Sequence, residues 1–338
     1  MALRLAINGL GRVSAQLVRV VNQGGFSDLF DIVAIHDAAG PEAIARALRH
    51  DSVYGPFPDE IVLDGETLTL GERSIALSSN AEGRNAVWGK EDIPLVIVDG
   101  SANSDASALD QHLKKGAKRV ILPAASPLAD FNLGIGINET SYDPDAHQIV
   151  ASAAGAPSAI AILYRLLDDV AKIRCGTATV LSPAGGDRSL VDTPASRGGA
   201  NAFWPVSADR DGIFEQLAGK LSSRLSVVET VTPAAAVGSV SFGNWLEQKT
   251  TIDALKELVN SAAESDELIG LIGTVDGVTS SLDMVRDARS VVVDWSDAQL
   301  LYDTFLTVRG WYDAEWGAAC RLADTLALIC EQGVPGTA

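Results

Sequence analysis

Two rhythms of apolar and polar positions divide the chain. In the first half, short apolar runs alternate with stretches of helical spacing. Residues 3–8 read as a short strand, residues 13–22 as a helix with Leu17, Val18 and Val21 on one stripe, residues 30–35 as a second strand and residues 41–48 as a second helix. Residues 95–98 and 119–122 read as further buried strands, separated by a helical pattern over 106–115. This βαβ rhythm predicts a parallel sheet with helices on both faces. The second half changes character. Pro157 opens a strong helix over 158–170, and residues 175–181, 225–230 and 237–242 read as longer strands. A helix over 251–263, capped by Thr250 or Thr251, precedes strands over 290–295 and 300–309 and a final helix over 318–331. A hairpin-like turn at Trp295-Ser296-Asp297 points to a mixed, mostly antiparallel sheet. No internal repeat or low-complexity segment interrupts the pattern, and residues 333–338 read as a frayed tail.

Composition narrows the class. A chain of 338 residues suffices for two ordinary domains, and 47% hydrophobic content suits a soluble globular protein. A formal charge of -18 argues against nucleic acid and anionic membrane as partners, and disfavours an anionic metabolite unless basic residues gather locally. No apolar run reaches the roughly 18 residues of a membrane span. The first eight residues read as a strand rather than as a secretory signal. Cys175, Cys320 and Cys330 are widely spaced and odd in number, which suggests neither a disulfide framework nor a zinc site; no metal is expected, and a reducing cytoplasm is.

The chemistry begins at Gly9-Leu10-Gly11-Arg12-Val13-Ser14, between the first strand and the first helix. This is a G-x-G-x-x-S variant of the dinucleotide fingerprint. Its first two glycines permit a tight turn and close approach of pyrophosphate to backbone, and serine at the third position is small enough to be tolerated. Free amides and the helix dipole would hold the phosphates. Asp37 ends the second strand, 23 residues after Ser14, where a carboxylate accepts ribose hydroxyls and repels a 2'-phosphate, favouring NAD over NADP.

Further segments follow in order: Arg49-His50-Asp51-Ser52-Val53-Tyr54-Gly55, Tyr142-Asp143-Pro144 with Ala146-His147, residues 268–283, and Trp311-Tyr312-Asp313. With the glycine turn they resemble the glyceraldehyde-3-phosphate dehydrogenase family, whose segments read I-N-G-F-G-R, K-Y-D-S-V-H-G, Y-D-P-x-x-H, a stretch ending in V-S-x-D, and W-Y-D. The resemblance implies an α/β fold. Residues 1–151 would form a Rossmann NAD-binding domain completed by a C-terminal helix over 317–333. Residues 152–316 would form an α+β catalytic-like domain with an eight-or-so-stranded mixed sheet. It also implies a tetramer with a long loop crossing an interface. That loop, over 182–204, is about five residues shorter here, so a tetramer or a dimer is expected.

The resemblance also implies a reaction: a thiolate attacks an aldehyde, a histidine activates the thiol, nicotinamide takes hydride, and basic and hydroxyl groups hold phosphates. Gly155 stands at the cysteine of S-N-A-S-C-T-T-N, and Leu181 at the histidine of V-H-S. Neither side chain can do that work, so no catalytic residue is assigned. His36, His50, His112 and His147 all precede Gly155 and read as surface or capping residues. Glu229 stands at a phosphate-binding arginine and Ala208-Asp209 at a threonine–glycine pair. Reversing a charge near a phosphate costs roughly several decades of affinity. Nearby Arg188, Arg197 and Arg210 read as solvated loop charges. Ala314 and Ala318 replace the asparagine and tyrosine that orient the nicotinamide. Cys175 reads as a buried, inert strand residue, and Cys320, in the first turn of the last helix, as a packing residue.

The concerted loss predicts a glyceraldehyde-3-phosphate dehydrogenase-like protein without the phosphorylating reaction, retained for a regulatory, structural or binding role. NAD is the candidate cofactor, with Asn8, Gly9, Gly11, Arg12, Val13 and Asp37 as its binding residues. The partners expected are further copies of the chain or an active family member. Two alternatives stay open. One is an NAD-dependent oxidoreductase for a non-phosphorylated substrate, using Ser152, Ser158, Ser182 and Asp187. The other is an NAD-binding sensor.

Overall fold

A computed structural model describes residues 2–79, 92–99, 105–184, 202–206, 212–278 and 280–335. The chain separates into two compact units: Met1–Leu133, Thr140–Ser152 and Ala319–Ala338 in one, Gly134–Glu139 and Ala153–Ala318 in the other.

The first unit contains β1 (Leu3–Asn8), α1 (Arg12–Asn22), β2 (Phe30–His36), α2 (Pro41–Arg49), the short pair β3 (His50–Asp51) and β4 (Gly55–Pro56), β5 (Ile61–Asp64), β6 (Thr67–Leu70), β7 (Arg73–Ser78), β8 (Leu95–Val98), α3 (Ala106–Lys114), β9 (Arg119–Leu122), β10 (Phe131–Leu133) and β11 (Ile149–Ser152). Its nine-stranded sheet runs β10-β11-β9-β8-β1-β2-β7-β6-β5. The strands from β10 to β7 pair in parallel, and β7, β6 and β5 continue as an antiparallel meander. All four residues of β8 and of β9 are buried, as a parallel strand covered on both faces requires. The meander over 61–78 was not anticipated. Its strands are short and half-exposed, with burial alternating residue by residue, so no continuous apolar run marks them.

The second unit holds α4 (Ala156–Ala171), β12 (Ile173–Pro183), β13 (Trp204–Val206), α5 (Ile213–Ala218), β14 (Leu225–Thr232), β15 (Val237–Leu246), α6 (Ile252–Ala263), β16 (Ile272–Val275), β17 (Val291–Leu301) and β18 (Phe305–Asp313). The last helix, α7 (Trp316–Gln332), begins here, and its residues from Ala319 onward belong to the first unit. The seven-stranded sheet has the order β13-β14-β12-β15-β18-β17-β16. The β12–β14 and β16–β17 pairs are parallel and the other four antiparallel, so the sheet is mixed and mostly antiparallel. Val180, Val240, Phe242, Val293 and Val308 form one apolar face, packed with Leu163 and Leu167 of α4 and Leu255 and Val259 of α6. No helix among the described residues is long and apolar enough to cross a membrane.

One open alternative is resolved and two local expectations are revised. Thr251, not Thr250, caps α6: its Oγ1 accepts the Ala254 amide at 3.1 Å. The expected turn at Trp295-Ser296-Asp297 is a bulge inside β17, because Asp294 Oδ1 accepts both the Ser296 amide (3.0 Å) and its hydroxyl (2.7 Å), so the strand kinks and continues. The chain reverses later, at residues 302–304, where Tyr302 and Asp303 take φ of 55° and 59°. Cys175 is exposed rather than buried, since a register shift between Ile173 and Cys175 turns it outward.

Candidate functional site

The glycine turn caps the carboxyl end of β1, beside β2 and β8. Gly9 takes φ +91° and donates its amide to the His36 carbonyl at 2.8 Å. A Cβ at Gly9 would run into the backbone carbonyl of Asp99, whose own amide donates to the Asn8 carbonyl at 2.9 Å. Gly11 is the N-cap of α1, in extended backbone. Asp37 is held against this turn: Oδ2 accepts the Leu10 amide (2.9 Å) and Oδ1 the Ala39 amide (2.8 Å). A cleft of about 390 Å³ borders Leu10, Asp37, Ile44, Arg46 and His50. Of the six expected cofactor residues, Gly9, Gly11 and Asp37 lie together at this turn, and Val13 lies half-buried in the first turn of α1.

The side chains of Asn8 and Arg12 are engaged within the unit. Arg12 forms a two-pronged pair with Asp51, at 2.6 and 3.2 Å. Asp51 also accepts Gln16 Nε2 (3.0 Å) and the amides of Val53 (2.8 Å) and Tyr54 (3.0 Å). Burial alone would raise its pKa. The Arg12 bond and the two amides outweigh that and hold it at about 2. The Asp51 segment is therefore a clamp on the start of α1. Asn8 is buried, and its Nδ2 donates to His112 Nε2 at 3.1 Å, making that ring nitrogen an acceptor. Burial, aided by Lys115, lowers His112 to about 4. Of the histidines expected to be surface or capping residues, His36 and His112 are buried, His36 with its Nδ1 3.1 Å from the Ser78 hydroxyl at the end of β2 and His112 in the last turn of α3 against Asn8. His147 stacks on Phe131 at 4.6 Å and accepts the Asp143 amide at 3.0 Å.

Gly155 sits immediately before α4 with φ +72° and ψ -144°. A Cβ there would have room, its nearest neighbour being Tyr312 Cε2 at 4.0 Å. Leu181 is 43% exposed and offers only hydrocarbon. Polar groups gather nearby on β12, β14 and β18. The Ser182 hydroxyl donates to Glu229 Oε1 at 2.6 Å and lies 3.4 Å from the Tyr312 hydroxyl. Burial pushes the Tyr312 phenol well up, the Ser182 contact partly opposes this, and the Glu229 charge adds to it, so the phenol is a neutral group.

Trp311 and Asp313 of the W-Y-D segment make structural hydrogen bonds within the second unit. Trp311 Nε1 donates to Asp294 at 3.0 Å, and Asp313 accepts the amides of Glu315 (3.0 Å) and Trp316 (2.8 Å) at the start of α7 and, from the segment before β17, the amide of Arg286 (2.9 Å). Ala318 is buried, and Ala314 packs on the core of the second unit. Ser152 and Ser158 are fully buried, so neither lines an open cleft; Ser152 Oγ accepts the Thr325 hydroxyl at 3.2 Å. Burial, then Glu331, raises the Cys330 thiol to about 11. Asp187, Arg188, Arg197, Ala208, Asp209, Arg210 and most of the 182–204 loop lie outside the described residues. Among the described residues no group of three or more His, Cys, Asp or Glu is placed to hold a metal.

One further candidate residue stands at this turn. Asp99 follows the buried run of β8 and places its carboxylate beside Gly11, where Oδ2 accepts the Ser14 hydroxyl at 2.7 Å. The available signal was an acidic residue at the carboxyl end of a buried parallel strand, the edge at which open α/β sheets bind ligands.

Comparison with known proteins adds the following. Residues 3–104 match the description "Glyceraldehyde 3-phosphate dehydrogenase, NAD binding domain", and residues 157–314 match its C-terminal domain. Glyceraldehyde-3-phosphate dehydrogenase 2 of Streptomyces arenae is 28% identical over 334 residues, covering 97% of this chain and 99% of its own. The glyceraldehyde-3-phosphate dehydrogenase of Kitasatospora aureofaciens is 29% identical over 331 residues (96% and 98%), and that of Priestia megaterium 25% over 339 residues (99% and 100%).

Proposed function

The chain belongs to the glyceraldehyde-3-phosphate dehydrogenase family, and from that membership we propose that it is a member without the phosphorylating dehydrogenase reaction, retained for a binding, regulatory or structural role. One observation carries the reading. Gly155, aligned with the family nucleophile, has no side chain and rests at φ +72° and ψ -144°, close to a region that only glycine occupies at low cost. The position has therefore departed from a nucleophile's geometry as well as its chemistry. Leu181 at the base position and Glu229 at the phosphate arginine support the same conclusion, the latter by placing a carboxylate where a phosphate would need a cation. We assign residues 1–151 with 317–333 to nucleotide binding and 152–316 to the second domain, and expect a homo-oligomer. The test is turnover of glyceraldehyde 3-phosphate with NAD and inorganic phosphate, followed by NADH absorbance. No turnover above the uncatalysed rate is expected; turnover at ordinary family rates overturns the reading.

The Ser182–Glu229 bond beside the Tyr312 phenol favours a second reading, an NAD-dependent oxidoreductase for an uncharged substrate. A hydroxyl, a carboxylate and a phenol in contact can relay a proton without a covalent intermediate. Its signature is NAD reduction by non-phosphorylated alcohols or aldehydes that is lost in Glu229→Gln.

A further inference from the structure

The space into which a side chain at Gly11 would project is filled by Asp99. A Cβ at Gly11 falls 2.6 Å from both Cγ and Oδ1 of that carboxylate, and closer still to Oδ2. In dinucleotide turns the second glycine keeps this space open for the pyrophosphate, which the first helical amides and the helix dipole attract. Here the protein's own anion stands in it. Its position is fixed through the backbone and the side chain: the Asp99 amide donates to the Asn8 carbonyl at 2.9 Å, and its Oδ2 accepts the Ser14 hydroxyl at 2.7 Å. Ser14 is fully buried, so its hydroxyl needs an internal partner, and Asp99 supplies it. Serine in the third position of the fingerprint is thus explained by Asp99, and not by small size alone.

We propose that Asp99 occupies the pyrophosphate seat of the glycine turn and sets ligand choice there: the chain takes an uncharged nucleoside in preference to a dinucleotide. The inference rests on the reading of the amino-terminal unit as nucleotide-binding. Asp37, pinned by the Leu10 and Ala39 amides, keeps further lone pairs to accept a ribose diol. A phosphate at the same turn meets a like charge. At about 4 Å, with an effective dielectric near 20, that repulsion is worth roughly a thousandfold in affinity before solvent screening, and about tenfold or more once screened.

Calorimetric titration of the full-length chain with adenosine, ADP-ribose and NAD tests this. In the wild type, adenosine is expected to bind at least as tightly as ADP-ribose, so that the pyrophosphate adds no affinity. The nearly isosteric Asp99→Asn, which still accepts the Ser14 hydroxyl, is expected to tighten ADP-ribose and NAD about tenfold or more and leave adenosine unchanged. A wild type that binds ADP-ribose tenfold tighter than adenosine overturns the proposal, whether or not the variant folds. So does an Asp99→Asn protein with unchanged NAD affinity; both results leave the nucleotide-binding reading standing. If none of the three ligands binds either protein, the proposal and that reading fall together.

Discussion

The turn after β1 and the turn after β11 are built alike, each passing from a strand through a glycine N-cap into a helix. They hold their glycines for opposite reasons. At Gly11 the backbone, at φ -74° and ψ 178°, is open to any residue, but the Asp99 carboxylate fills the adjacent space. At Gly155 the adjacent space is open as far as Tyr312, 4.0 Å away, but φ of +72° disfavours any L side chain. At the first turn, on the proposal above, the Asp99 carboxylate stands where a ligand's pyrophosphate would sit. The second has room for a side chain but a backbone conformation that an L side chain rarely adopts. The same residue type thus answers to space at one turn and to torsion at the other, and substitutions separate the two.

The largest effect is expected where crowding and torsion coincide. Gly9 has φ +91° and lies against the Asp99 carbonyl, so Gly9→Ala is expected to cost about 3–5 kcal/mol in urea denaturation. A cost below about 1 kcal/mol would mean that Asp99 does not crowd this turn.

Acid should act next, and on the first turn. His112, which accepts from Asn8 beneath that turn, has a folded pKa of about 4 against 6.5 when unperturbed. The unfolded chain binds more protons between these values. The contribution is thus complete above pH 6.5 and lost as pH falls toward 4, by about 3 kcal/mol in all. Denaturation measured on either side of that window should show the slope, and His112→Gln should flatten it. Hydrogen exchange should rise around Asn8 more than around Gly155; equal loosening of both turns would break the contrast.

The smallest effect belongs to the second turn. Gly155→Cys is expected to destabilise by about 1–3 kcal/mol through backbone strain alone, because the space is available. Combined with Leu181→His it should restore no oxidation of glyceraldehyde 3-phosphate. A stability-neutral variant that forms a thiohemiacetal with an aldehyde would show that the turn relaxes on demand.

Much of the fold was legible in local pattern. The runs that became β8 and β9 were read at their observed limits, because a strand buried on both faces leaves an uninterrupted apolar signature. The meander of β5, β6 and β7 left none, since half-exposed strands interleave polar residues. Ser296 and Asp297 look like a turn, yet Asp294 captures Ser296 and carries the strand onward. The pairing of the Arg12 guanidinium with Asp51, a partner 39 positions away, leaves no trace in local pattern.

The sequence by itself determined the order of elements, the family to which the chain belongs, and the absence of a thiol at Gly155 and an imidazole at Leu181. These follow from residue identity and short-range periodicity, which need no folded partner. Only the tertiary structure decided that Gly11 is required by space and Gly155 by torsion, that Ser14 serves Asp99, and that His112 lies buried against Asn8. The physical reason is range. Ser14 and Asp99 are 85 positions apart and Asn8 and His112 are 104 apart, and parallel pairing of β1 with β8 and of β8 with β9 brings these segments to one end of the sheet. A charge at a helix terminus depends on what folds against it, and no local pattern along α1 contains that.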